Sequence, residues 1–390
     1  MVQGIAQTGK IEKFILLLFS FFLAFGKYDP FHTGGLYFDA ITVFALIVIF
    51  SNANKSRLWN KEYSKQYYLL FSIALLFYIA SMFYGLSYTN EIPIKIKYIF
   101  AITIFIFFSY KFSEDESLKY KSLLLFGLAC GLIAVGYKLG LFNKEFQFNK
   151  GRLLIFGENP NSISARLAAG FIALYYNILE DPLRLGKKRF VLAIFLIPLV
   201  LFVIDTGSRG SFIILVLGFI LLTLVSKIHI GIKFFLGLIS LFIASYLLLA
   251  LEQSSLLSRF QDKDITGGRE RIWNIIFEIV QNNLWGVGEE GYLIEMGLIT
   301  DRVQDAHNLF LYLLVCGGWL ALTLFLIFLW KLFRKSYVQF RKKNVLPFIF
   351  FVFFVFLMTK TGGIMTYLIM WYFLAYINSY SLTDRQYEKK

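Results

Sequence analysis

Only three histidines occur in the 390 residues, and one of them, His307, has neighbours that chemistry could use. It lies in Asp305-Ala306-His307-Asn308, just ahead of a long apolar run. Asp305 reads as the cap of the helix that begins there, which puts His307 in the first turn. The positive end of a helix disfavours imidazolium, so the ring is expected to stay neutral and able to take a proton. The alternative is a histidine with a purely structural role. His32 and His229 sit in short loops without comparable neighbours. No second His or Cys stands at metal-ligand spacing, so neither a metal centre nor a cofactor is expected.

Two arginine segments could hold an anion. In Asp205-Thr206-Gly207-Ser208-Arg209-Gly210-Ser211, a polar turn separates two apolar runs and Arg209 opens the second. A guanidinium grips phosphate through two parallel hydrogen bonds, and a helix N-terminus adds free N–H groups. The alternative is an interfacial arginine that reaches lipid headgroups or pairs with Asp205. In Gly267-Gly268-Arg269-Glu270-Arg271-Ile272-Trp273, Arg269 and Trp273 are four residues apart and share a helix face. Ile272, Trp273, Ile276 and Val280 form an apolar stripe, which predicts an amphipathic surface helix near 269–281. Arg269 is then either a second phosphate ligand or a plain surface residue. The Gly-rich stretch from Leu284 to Tyr292 reads as a turn that brings backbone close to a ligand. Other charges at helix ends are Arg152, Glu158, Arg166, Glu289, Glu290 and Lys360.

The elements that must position these residues follow from composition. Apolar residues make up 58% of the chain and charged residues 16%, with a mean hydropathy of +0.65. Ordinary soluble domains carry about 25% charge, so the chain reads as an all-α, polytopic membrane helix bundle. Apolar runs that read as membrane spans, each of which needs about 20 residues, number twelve, the first two of them short. They lie near 11–26, 36–50, 67–87, 93–110, 118–139, 160–179, 189–205, 209–226, 231–251, 306–333, 345–361 and 363–380. Residues 1–390 are expected to form one transmembrane domain, with a large outer loop, 252–305, between the ninth and tenth spans. Although the net charge is +14, nucleic-acid binding is not expected, because Lys and Arg gather on alternate connections. These include Lys55 to Lys65, Arg184 to Arg189 and Arg334 to Lys343, as positive-inside placement requires with both termini cytoplasmic. The first run lacks a small-residue cleavage site and reads as a retained helix rather than a signal peptide. Cys130 and Cys316 both fall inside spans and read as core residues.

These segments, in this order, resemble the O-antigen ligase/polymerase family of bacterial envelope glycosyltransferases. The resemblance is carried by Gly157-Glu158-Asn159-Pro160-Asn161, Thr206 to Gly210, Gly268-Arg269 with Trp273, and Gly286-Val287-Gly288. His307-Asn308 leading into Leu309-Phe310-Leu311, and Gly317-Gly318, complete it. It departs from the common pattern at Glu289-Glu290, where a small or aromatic residue is more usual. The resemblance implies a metal-independent, inverting glycosyltransfer at the outer face of the bacterial cytoplasmic membrane. The donor would be a glycan on undecaprenyl pyrophosphate, and the acceptor a glycan or lipid. Arg209 and Arg269 would hold the pyrophosphate, and His307 would orient or deprotonate the acceptor hydroxyl. Arg271, Asn159, Asn161, Ser208, Glu289 and Asn308 are further candidates for substrate binding. Polymerisation of lipid-linked repeat units is the first expectation. Ligation to lipid A-core or protein is the second, and a flippase for lipid-linked sugars is the rival from another class. Membrane lipids, a flippase and a chain-length regulator would be partners.

Overall fold

The computed structural model describes residues 9–26, 61–85, 96–141, 146–149, 152–156, 158–231, 233–234, 237, 269–300, 304–360, 365 and 367–382. The order of elements begins with α1 (Lys10–Phe22), α2 (Lys61–Gly85), α3 (Ile96–Glu114) and α4 (Glu116–Lys138). A hairpin of β1 (Phe146–Asn149) and β2 (Arg152–Ile155) follows, then α5 (Pro160–Glu180), a 3-10 helix (Gly186–Phe195), α6 (Leu196–Asp205) and α7 (Arg209–Val225). The described chain resumes with α8 (Arg269–Asn282), α9 (Gly288–Thr300), α10 (Leu309–Arg341), α11 (Leu346–Met358) and α12 (Leu368–Asn378). Among the described residues, four helices are long and apolar enough to cross a membrane: Glu62–Tyr84, Glu116–Lys138, Pro160–Glu180 and Leu309–Arg341. The helices at Arg209–Val225, Leu346–Met358 and Leu368–Asn378 are apolar but shorter. The run at 36–50, nearly all of that at 231–251, and loop residues 252–268 lie outside the described residues. The count of twelve spans is therefore an expectation of the sequence alone.

Two expectations change. The connection after α4 holds an antiparallel hairpin, with Phe146 paired to Ile155 and Asn149 to Arg152, so the chain is mostly rather than wholly helical. Leu153 and Ile155 are buried while Phe148, on the partner strand, is exposed. The run at 189–205 is not one α-helix. It opens as a 3-10 helix and turns α-helical only at Leu196, with Pro198 in the first turn. Proline has no N–H and its ring blocks the carbonyl four residues back, so it is accommodated where a helix starts.

The chain divides into two compact units. One comprises Met1–Asn52, Lys111–Lys263 and Phe340–Ile349, the other Ala53–Tyr110, Asp264–Gln339 and Phe350–Lys390. In the first unit α5 is the core, buried from Ile163 through Leu179. A Cβ on its Gly170 would stand 2.5 Å from Cys130 Cβ, so glycine is what allows α4 to approach this closely. Tyr175 Oη and Thr223 Oγ1, 2.6 Å apart, join α5 to α7. Lys111 pairs with Glu12 at 2.7 Å and Lys13 with Asp115 at 2.6 Å, which fastens α1. Asp115 also caps α4 by accepting from Leu118 N–H at 2.9 Å. Its partial burial opposes ionisation, but the bonds from Lys13 and Leu118 outweigh this and hold its carboxyl below the usual range.

The second unit has an aromatic core. Trp371 meets Phe105 at 5.6 Å and Phe328 at 6.1 Å between ring centres. Buried polar groups lie beside it. Lys335 pairs with Glu62 at 2.7 Å and donates to Asn378 O and Oδ1 at 2.6 and 2.9 Å. Asn378 donates to Gln66 Oε1 at 2.6 Å and to Ser109 Oγ at 3.0 Å. A buried polar group without partners is costly, and here each is satisfied by another helix.

Gly170→Leu should destabilise the first unit by about 1–3 kcal/mol, the usual effect of overpacking. Thermal unfolding of the detergent-solubilised protein reads this, and an unchanged midpoint would show that α4 and α5 are free to separate.

Candidate active site

Asp205 ends α6 and its carboxylate pairs with Lys138 at 2.8 Å. Thr206 turns its hydroxyl back onto Val203 O at 2.6 Å. Arg209 is then the first residue of α7, half-buried, with Ser208 in the capping position. Ser208 is buried and directs its hydroxyl to Ser211 Oγ at 3.2 Å rather than to a helix N–H. The Ser208 side chain therefore does not cap α7, and helix N-termini of this kind are suited to anions.

The same unit holds the segment that opens α5. Asn159 caps that helix by accepting from Asn161 N–H at 2.9 Å, and Pro160 occupies its first position. Glu158, 4% exposed at its side chain, pairs at 2.6 Å with Arg166, which is 5% exposed. Arg166 donates also to Ala24 O at 3.2 Å. This buried pair is fully enclosed by protein, which accounts for two charges that sequence reasoning grouped with the outer helix ends. Gly157 lies outside the described residues, as do Gly267 and Gly268.

The second unit holds Arg269 at the start of α8 and His307 ahead of α10. Arg269 is half-buried, while Arg271 is exposed. Trp273, one turn further on the same face, donates its indole N–H to Ala306 O at 3.1 Å. His307 follows directly. It is not in the helix: α10 begins at Leu309, and the cap is Asn308, whose Oδ1 accepts from Phe310 N–H at 2.9 Å and Leu311 N–H at 3.3 Å. Asp305, expected as the cap, instead stands 3.3 Å from His307 Nδ1. His307 has a φ of 50°, the left-handed region, which a side-chain-bearing residue adopts when its surroundings enforce it.

Those surroundings are specific. Tyr292 of α9 donates to Gln304 O at 2.7 Å, so the strand of chain from 304 to 308 is bonded at both of its neighbouring helices. Burial, with Cys316 and Asp305 nearby, pushes the Tyr292 phenol above its usual pKa and keeps it a donor. Side chains of His307 and Asp305 are 35% and 41% exposed, so a ligand can reach them. With Nδ1 facing the carboxylate, a neutral ring protonated there would carry its lone pair on Nε2.

α9 is an element that sequence reasoning missed. The glycines from 286 to 291 read as a turn, yet Gly288 begins a helix of 13 residues. Gly288 and Gly291 lie against Ser81 and Tyr84 of α2, where any Cβ would collide. The turn before it, 284–287, is fastened to a break in α10. At Gly318 the backbone leaves the helix, with φ 67° and ψ −171°. Val287 N–H donates to Val315 O at 2.9 Å, and Trp319 N–H donates to Leu284 O at 3.4 Å. Val315 and Trp319 are the i−4 and i partners of an unbroken helix, so the turn takes over both of their bonds. Glu289, in the first turn of α9, is 2% exposed and accepts from the hydroxyls of Tyr98 and Tyr312. Asp305, Trp273 and Asn308 had a signal in the sequence: an acid two residues from the histidine, an indole one turn after Arg269, and Asn directly before an apolar run. The Tyr98 and Tyr312 pairing with Glu289 had none. Among the described residues, no three His, Cys, Asp or Glu side chains cluster as metal ligands would.

Comparison with known proteins gives one family. Residues 192–326 match the family model described as O-antigen ligase, about a third of the chain. The match includes Arg209, Arg269 and His307 and begins beyond Asn159 and Asn161. No curated protein matches the chain. The chain is an integral membrane protein with helices of membrane length, and over residues 192–326 it is similar to the family described as O-antigen ligase, which agrees with the resemblance read from its sequence.

Proposed function

We propose that the chain is a surface-polysaccharide polymerase, an inverting glycosyltransferase that moves a glycan from undecaprenyl pyrophosphate onto a lipid-linked repeat unit at the outer face of the bacterial cytoplasmic membrane. The observation that carries this reading is the His307 turn. An accessible imidazole is held by a carboxylate at one nitrogen and by neighbouring backbone bonds in a conformation it would not adopt alone. In the reaction, the acceptor hydroxyl oxygen attacks the anomeric carbon, and its proton passes to His307 Nε2. The bond from that carbon to the phosphate oxygen breaks with inversion, and its electron pair leaves on the pyrophosphate. General-base help of this kind supplies about 10²–10⁴-fold. Arg209 and Arg269 hold the pyrophosphate and stabilise the charge that grows as it departs. Asp305 holds the imidazole tautomer. Asn159, Asn161, Ser208, Arg271 and Asn308 are the remaining substrate-binding candidates. The flippase and chain-length regulator belong to this reading as partners, and the same donor site would serve a ligase.

His307→Ala, Arg209→Ala and Arg269→Ala are each expected to lower turnover of defined lipid-linked repeat units by about 10² or more in purified protein that still folds. Near-normal turnover in His307→Ala would remove it from the catalytic role. Arg209→Lys should also be impaired, because one ammonium cannot reproduce a two-point grip on phosphate.

Asp305→Asn should reduce kcat with little effect on donor KM, since it acts on the base and not on the pyrophosphate. A change confined to KM would contradict that assignment.

Cells lacking the protein distinguish polymerase from ligase. Loss of a polymerase leaves single repeat units on the final acceptor. Loss of a ligase strands long chains on the lipid carrier, and that pattern would overturn the polymerase reading. Turnover by the purified protein without any gradient excludes the flippase.

A further inference from the structure

We infer that Glu289 is a positioning residue: its buried carboxylate, held by the Tyr98 and Tyr312 hydroxyls, fixes the first turn of α10 and with it the conformation of His307. This inference rests on the proposed role of His307 and adds a residue that acts through it.

The geometry is a clamp from one helix on both sides of the histidine. Glu289 and Tyr292 are three residues apart and share a face of α9. Tyr292 bonds Gln304 O, three residues before His307. Glu289 Oε1 accepts from Tyr312, five residues after it. Tyr312 is itself bonded through its N–H to Asn308 O at 2.9 Å, which closes the first turn of α10. The same carboxylate oxygen accepts from Tyr98 of α3, and the two hydroxyl oxygens are 3.3 Å apart. Phe77 packs edge-on against both Tyr98 and Tyr312, at 6.2 and 5.9 Å. Tyr292 packs edge-on against Tyr312 at 5.9 Å.

Chemistry favours positioning over substrate contact. Glu289 is 2% exposed, and Tyr98 and Tyr312 are 5% and 7% exposed. A ligand would have to displace a phenol to reach the carboxylate. Removing the acceptor leaves two buried hydroxyls without it, and they recover partners only by moving. Any such movement of Tyr312 shifts the turn that ends in Asn308 and His307. A displacement of about 1 Å at a catalytic group can cost about 10²-fold in rate.

The test uses the full chain in detergent with defined lipid-linked repeat units. Glu289→Leu should lower kcat about 30-fold or more while donor KM stays within about 2-fold, because an oriented base is lost and a binding contact is not. Glu289→Gln, which keeps an accepting carbonyl, should recover kcat to within about 5-fold of wild type. Hydrogen exchange across 304–312 should rise about 10-fold in Glu289→Leu and stay unchanged in α4 and α5. If Glu289→Leu does not fold, Tyr312→Phe decides by the same readouts, with a loss of about 5-fold in kcat and faster exchange at 304–308 expected. Unchanged kcat and exchange in a folded variant overturn the inference, and so does a rise confined to donor KM, which would make Glu289 a substrate ligand. If the wild type transfers no glycan, the proposed function fails, and the exchange measurement alone still judges the clamp.

Discussion

Backbone N–H and C=O groups shielded from water must be paired, and the break of α10 at Gly318 makes that requirement organise the second unit. An unbroken helix would join Trp319 N–H to Val315 O. Here the first is paired with Leu284 O and the second with Val287 N–H. The turn at 284–287 is thereby held in place, and it delivers the chain straight into α9. α9 in turn holds Gln304 and Tyr312 on either side of His307. The position of the imidazole thus descends from a backbone pairing at a helix break. A non-glycine at Gly318 would collide with Leu284 O, 2.5 Å from its Cβ, and would lose the left-handed conformation on which the exchange of partners depends.

Charge is handled in two ways. Two ion pairs are buried, Glu158 with Arg166 and Glu12 with Lys111, and buried Lys335 reaches the exposed Glu62. Breaking such a pair would leave an uncompensated charge in a medium that cannot hydrate it. His307 and Asp305 remain partly open, and Arg209 and Arg269 stand at the starts of helices, half-buried. Glu158 and Arg166, beside Asn159 and Asn161 in the sequence, are buried against each other.

In the proposed reaction a departing pyrophosphate would be assisted by cations already in place, because reorganising them during reaction would add to the barrier. His307 stands beside a carboxylate, and hydrogen bonds around residues 304–312 come from α8, α9 and the start of α10, so it is supported by rigid elements although it lies on a short loop.

The sequence determined the membrane-spanning character of this protein, since runs such as 118–139, 160–179 and 209–226 are apolar enough to become helices with nearly those bounds. It also determined the amphipathic helix from Arg269, because its apolar stripe follows the helical period. Arg209, Arg269 and His307 were legible as residue types in particular local settings. Tertiary structure alone decided the rest. α9 looked like a glycine turn, because the glycines that read as breakers are there to fit Ser81 and Tyr84 of a helix some 200 residues earlier. Asp305 looked like a cap, and it became the partner of His307 because Asn308 took the helix N–H groups and Trp273 and Tyr292 fixed the turn. Glu289 looked open to substrate, and it is buried against Tyr98 and Tyr312. Local patterns report which segments leave water, whereas pairing between distant segments depends on how those segments pack.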